Sequence, residues 1–256
     1  MIVRTSGILL HQIPYSETSK ILKVFTQDKG LVSLIAKGAS RPKSKFKGHL
    51  KPLAQLEFIF NFKGDDTLSI LREVSLQKDY VAIQEDLNKQ ALSNLFLEVF
   101  LRHLYGPEPS YPLYDLLSSS LSSLNASHKA PADFPIYLCD FLIQFSGIMG
   151  FRPQFKECVH CNTPLNLNKY AFDPSMGSPV CKPCEDLSPL RLPPLASKIF
   201  LWLEGLQFQG IYSGRISTYD LRKAEELLLQ FLIHHSSRNK PLNSYGFYRK
   251  LLNLES

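Results

Sequence analysis

The sequence predicts a multidomain α+β protein: an N-terminal OB-fold β-barrel followed by an all-α domain that carries a four-cysteine zinc-binding module. Three observations predict it. Residues 1–80 read as five short strands, helical spacing takes over from residue 81, and two CxxC pairs interrupt the helices. The expected division is 1–80 for the barrel and 81–256 for the helical domain, with 152–190 as the zinc-binding insertion within it.

The strand-like runs are IVRTSGILLHQI, ILKVFTQ, LVSLIAKG, LAQLEFIFNF and TLSILREVSL, each rich in β-branched or aromatic residues. Gln27-Asp28-Lys29-Gly30 and Lys63-Gly64-Asp65-Asp66 supply hairpin chemistry between them. Five short strands without a long helix suit a small barrel better than a sandwich, which needs more strands. The OB type leads, and SH3-like barrels share the same signals.

After Asp79 the period changes. Leu87, Ala91, Leu92, Leu95, Phe96, Val99 and Phe100 recur at three- and four-residue steps, which predicts one amphipathic helix over 81–105 with Gly106-Pro107 as its stop. Further helices are expected near 111–124, 133–148, 194–209, 219–235 and 244–252. The Ser-rich stretch from Ser118 to Pro131 reads as a helix end and a surface loop. Residues 152–190 contain six prolines and no sustained period, a loop longer than a compact domain tolerates unless something orders it.

The two pairs Cys158-Val159-His160-Cys161 and Cys181-Lys182-Pro183-Cys184, nineteen residues apart, supply that something. Their spacing matches a zinc site with Cys158, Cys161, Cys181 and Cys184 as ligands. Four thiolates close the tetrahedron, so the ion is expected to be structural, its binding energy ordering a segment with little core of its own. Asn162 suits the turn after the first pair because Asn tolerates φ > 0, whereas Glu185 after the second suits it less. His160 is expected to face solvent, and Cys139 to be a core thiol in an apolar helix.

The formal net charge is +6 and lies wholly in the first third: residues 1–80 hold thirteen basic and seven acidic side chains, and the remainder is balanced. A basic excess favours polyanions over acidic partners. It is densest in KGASRPKSKFKGHLK, where Lys37, Arg41, Lys43, Lys45, Lys47 and Lys51 stand without an acid between them. Gly38, Pro42 and Gly48 make this a mobile loop and not a helix. Phe46 sits among the cations and is expected to offer a stacking platform for an unpaired base. Six phosphate contacts to a single strand would give a salt slope of roughly −4. Such contacts position a nucleic acid without reading its sequence. A weaker cluster, Arg238, Lys240, Arg249 and Lys250, lies beside Tyr245, Phe247, Tyr248, Leu251 and Leu252, and reads best as a terminal helix docking on its own core.

No run reaches the roughly 18 apolar residues of a membrane span, and the N-terminus lacks the basic start of a signal peptide. With five cysteines, four of them in close pairs, a soluble intracellular protein is expected. GxxxxGK[ST], GxGxxG, HExxH and GxSxG are all absent, so no catalytic apparatus is expected. The acidic pairs Asp65-Asp66 and Glu85-Asp86 fall at a turn and a helix start, where acids are locally favoured.

Several stretches resemble the RecO family of bacterial DNA repair and recombination mediators. They are Gly7-Ile8-Leu9-Leu10, Pro14-Tyr15-Ser16-Glu17-Thr18-Ser19, Phe25-Thr26 through Lys29-Gly30, Ala36-Lys37-Gly38-Ala39, Arg41-Pro42-Lys43-Ser44 and Leu50 through Glu57. The likeness resumes at Gly150-Phe151-Arg152-Pro153, at the cysteine pairs and near Leu242-Asn243-Ser244. It departs at Asn162, where Gly is frequent, and at Asn243. The resemblance implies an OB-fold, a helical domain and structural Zn2+. It also implies a non-enzymatic protein, cytoplasmic and nucleoid-associated, that binds single- and double-stranded DNA and anneals complementary strands. With RecR it would help RecA onto DNA coated with single-stranded-DNA-binding protein, RecF and RecA being indirect partners. DNA contacts would fall on Lys37, Arg41, Lys43, Lys45, Phe46, Lys47 and Lys51. A zinc-containing OB-fold RNA-binding protein is the alternative, since barrels and basic loops do not distinguish RNA from DNA.

Overall fold

The structure is a computed structural model that describes residues 1–64, 67–104, 106, 108–209, 216–236 and 240–254. Asp65, Asp66, Pro107 and Arg238 lie outside the described residues. The chain is a mixed α/β protein whose N-terminal part is strand-rich and whose remainder is mainly helical. Packing groups it into two compact units, Met1–Ser127 with Leu242–Ser256, and His128–Pro241. Among the described residues no helix is long and apolar enough to cross a membrane.

In the first unit the five expected strands form: β1 (Ile2–Pro14), β2 (Lys20–Thr26), β3 (Gly30–Ala36), β4 (Ala54–Asn61) and β5 (Ser69–Asp79). They pair in the order β1-β2-β3-β5-β4, and β4 also pairs with β1, so every strand has two partners. All pairings are antiparallel except β3 with β5. Alternation sets the faces: in β4, Ala54, Leu56, Phe58 and Phe60 point inward to meet Leu22, Val24, Val32, Leu34 and Leu71. Gly7 is a close-approach position, because a Cβ there would come within 2.9 Å of Val24 Cγ1.

Helical spacing begins where expected, but the 81–105 segment is two helices, α1 (Val81–Gln84) and α2 (Leu87–His103). The break falls at Glu85-Asp86 because Asp86 caps α2, its carboxylate accepting from the N–H of Asn88 at 2.8 Å and Lys89 at 3.1 Å. α3 (Tyr111–Ala126) follows, and Phe25, on the outer face of β2, meets Phe100 of α2 at 5.1 Å and Tyr114 of α3 at 6.2 Å.

The second unit contains α4 (Pro135–Ile148), a three-stranded antiparallel sheet, α5 (Ser197–Gln209) and α6 (Thr218–His234). The sheet has β6 (Lys169–Asp173) between β7 (Ser178–Val180) and β8 (Leu192–Ala196). Cys139 is buried in α4, as expected, and burial first, then the nearby Glu225, push its thiol well above the ordinary range. The helix expected from Pro194 starts three residues later, because Pro193 and Pro194 lie in β8. That strand is at the sheet edge, where a missing N–H leaves no broken ladder bond. Phe172 on β6 packs against Phe155, Phe200 and Phe231 with centroids 6.1–6.3 Å away, giving the 152–190 segment more core than its sequence promises.

The chain then returns to the first unit. Its last helix, α7 (Asn243–Leu254), packs along α2 and buries Tyr248 and Leu252. The terminal aromatic cluster is thus a helix docked on its own unit.

Candidate nucleic-acid interface and metal centre

The basic segment joins β3 to β4 as a run of hydrogen-bonded turns. Arg41, Ser44 and Lys47 donate their N–H groups to Gly38, Arg41 and Ser44 at 3.0–3.1 Å, and Ser40 N–H reaches Thr18 O at 2.9 Å. Gly38 and Gly48 adopt φ of +70° and +77°, which glycine takes without steric cost. Lys37, Arg41, Lys43, Lys45 and Lys47 are exposed on these turns.

Two expected site residues are placed otherwise. Phe46 is only 3% exposed and belongs to the core cluster between the strands, with Ala39 and Leu50 packed nearby. Burying a phenyl ring is favourable by about 1.5–3 kcal/mol. The ring anchors the turns and is not offered to a base, so the stacking role expected of Phe46 is withdrawn. Its cationic neighbour Lys45 lies 5.3 Å above the ring. Lys51 is half-buried and its ammonium pairs with Asp79 at 3.4 Å, which occupies one of the six expected cations internally.

In the second unit the four cysteines converge. Their Sγ atoms all lie within 4.8 Å of one another, with Cys161 and Cys181 at 3.6 Å. A tetrahedral zinc with Zn–S bonds near 2.3 Å needs sulfurs separated by ~3.8 Å. The donor set therefore fits such an ion in number, chemistry and spacing.

Each knuckle is built locally. Asn162 takes φ +55°, as its side chain permits, and donates its N–H to Cys158 O at 2.9 Å. Val159 N–H binds Pro179 O of β7 at 3.0 Å, tying the first knuckle to the strand that leads into the second. Cys158 is fully buried and Cys161 exposed. His160 is exposed and turned aside: its Nε2 lies 2.7 Å from Ser188 Oγ, outside the sulfur cluster.

The thiols divide electrostatically. Cys161 is lowered to about 6, first by the Thr163 hydroxyl 3.2 Å away and then by the Thr163 N–H. Burial opposes ionisation of Cys158, yet the N–H groups of Cys181, Cys161 and His160 outweigh it and the thiol is lowered. Cys181 is raised to about 12, by burial first and then by the neighbouring thiols. Four sulfurs this close do not all ionise against one another, and a divalent cation removes that conflict. Thr163 is not among the residues the sequence singles out, although its place two residues after Cys161 is the signal that points to it.

Two family models match successive parts of the chain. Residues 1–80 match the one described as recombination protein O N terminal, and residues 84–245 the one described as recombination protein O C terminal. Among similar curated proteins is the DNA repair protein RecO of Anaeromyxobacter dehalogenans (strain 2CP-C), 28% identical over 239 residues and covered over 92% of each chain. That of Prosthecochloris aestuarii is 26% identical over 257 residues, 95% of this chain and 96% of its own. The protein of the same name from Geobacter metallireducens is 28% identical over 248 residues, 97% of each.

Proposed function

The chain belongs to the recombination protein O family, which supports a role in DNA repair, and on that footing we propose that it is a non-enzymatic mediator that binds single- and double-stranded DNA and anneals complementary strands. The reading extends to partners. With RecR, and with RecF indirectly involved, the protein helps RecA load onto DNA coated with single-stranded-DNA-binding protein, in the cytoplasm at the nucleoid. Residues 1–80 carry the DNA contacts on an OB-fold. Cys158, Cys161, Cys181 and Cys184 hold a structural zinc, which supplies folding energy and no open coordination position.

The observation that carries the reading is the set of five exposed cations, Lys37, Arg41, Lys43, Lys45 and Lys47, on the turns between β3 and β4. Held by a buried anchor and backbone hydrogen bonds, they form a fixed surface without an acid in the run. Phosphates bound there release counterions, and two strands so neutralised repel each other less while bases search for register. The step requires no nucleotide.

The test is the salt dependence of single-strand binding. Five phosphate contacts give a slope of roughly −3.5, and removing three should leave roughly −1.4. Changing Lys43, Lys45 and Lys47 together to Ala should weaken binding and flatten the slope by that amount. An unchanged slope in the folded variant would overturn the assignment.

A further inference from the structure

The four sulfurs are not equally placed. Cys158 is fully buried and its Sγ accepts from the Cys181 N–H at 3.4 Å, whereas Cys161 is exposed and Cys181 and Cys184 are half-buried. An open groove of about 770 Å³ runs beside the cluster, lined by Cys161, Cys181 and Cys184 together with Tyr170, Lys182 and Pro183. It admits molecules far larger than a water, whose share of liquid volume is ~30 Å³. Three of the sulfurs are thus within reach of a small solute, an access that a purely structural ion does not need.

Cys161 and Cys181 belong to different knuckles, and their Sγ atoms are 3.6 Å apart. A disulfide has an S–S bond of ~2.05 Å, a short approach from that separation. Ties other than sulfur hold the segment meanwhile: Val159 N–H binds Pro179 O at 3.0 Å, and Phe172 packs on Phe155. The Thr163 hydroxyl, 3.2 Å from Cys161 Sγ, donates to that sulfur when it is a thiolate. A sulfur that shares its charge in this way is a weaker nucleophile, so Thr163 restrains its attack.

We propose that Cys161 and Cys181 form a peroxide-sensitive modification site, in which a disulfide between the two knuckles takes over from the metal as the bond that joins them. Hydrogen peroxide is the two-electron oxidant. Cys161, a thiolate as a ligand, attacks one peroxide oxygen; the O–O bond breaks, hydroxide leaves and Cys161 becomes a sulfenic acid. Cys181 then attacks the Cys161 sulfur, the S–S bond forms and a second hydroxide leaves. The two sulfurs have given up two electrons, and two protons from solvent convert the hydroxides to water. Cys158 and Cys184 are then the only free ligands, too few for a closed tetrahedral site, and the ion is released. A dithiol reductant reverses the exchange. The proposal rests on the zinc reading above and adds to it a second state of the same residues.

The experiment treats the zinc-loaded full chain with hydrogen peroxide, follows metal release with a zinc-binding dye, and maps disulfides by peptide mass before and after reduction. Free zinc and the Cys161–Cys181 disulfide should emerge in step, and a dithiol with added zinc should restore the starting protein. Across 155–188 the oxidised chain should exchange amide hydrogens more slowly than reduced protein stripped of metal, because the knuckles remain joined. Thr163→Val, which keeps all four ligands, should release zinc several-fold faster. A disulfide within either CxxC pair, sulfinic or sulfonic acids without a disulfide, exchange equal to that of the stripped protein, or release no faster in Thr163→Val would overturn the proposal. If the purified, reduced protein holds no zinc, the metal reading itself falls and this inference with it. If it holds zinc and peroxide leaves that zinc in place, this inference alone falls.

Discussion

Glu98 on α2 caps a helix to which it does not belong. Its carboxylate accepts from the N–H of Asn243 at 2.9 Å and of Ser244 at 2.7 Å, at the start of α7, and also binds Arg102 at 2.5 Å. Burial opposes its charge, yet the Ser244 and Asn243 donors outweigh that cost and hold the carboxyl below its ordinary 4.5. A carboxyl lowered on folding contributes stability that is complete above its unfolded pKa and lost as pH falls through the folded one. Glu98→Gln should therefore cost about 1–3 kcal/mol at neutral pH. The variant should differ less from the parent once the pH is below the folded pKa, as urea denaturation at the two conditions would measure. At this scale the sequence is informative where backbone chemistry decides. Asn162 reads as a φ > 0 residue and is one. Phe46 misleads because chain neighbours do not report which side of a turn a ring faces; Lys43, Lys45 and Lys47 surround a core side chain and disguise it.

The strands are legible as elements because their β-branched and aromatic runs end in turn chemistry, with β4 alternating cleanly, and α2 because its apolar residues recur at helical spacing. The short sheet β6-β7-β8 is not. Its strands span three to five residues and two contain proline, so neither period has room to appear. The four sulfurs, in contrast, are found by spacing alone, since a CxxC pair encodes its own geometry. Elemental analysis of reduced protein should give about one zinc per chain. Stripping the ion should raise hydrogen exchange across 155–188 while β1 to β5, in the other unit, keep their protection. Loss of protection throughout would mean that the ion stabilises far more than its own segment.

Across the whole molecule, charge is the most legible property and long-range packing the least. The excess of +6 resides in residues 1–80, and the cations of its densest run are exposed except Lys51, which pairs with Asp79. Nothing in the local pattern of α7 shows that it packs on α2, because the Glu98–Ser244 contact spans 146 residues. Deleting 242–256 should destabilise the unit containing β1 to β5 by on the order of 5 kcal/mol, from Leu242, Tyr248 and Leu252 alone, and leave the zinc content unchanged. Calorimetry with metal analysis would test both halves of that statement. The clamp between α2 and α7 also fixes an order of events during synthesis. The strands are made first, yet the face of α2 stays uncovered until α7 has emerged, after every residue of the other unit. The contiguous unit, His128–Pro241, is therefore synthesised in full before the one that precedes it, and until α7 is released the α2 face is open to chaperones or to a misplaced helix.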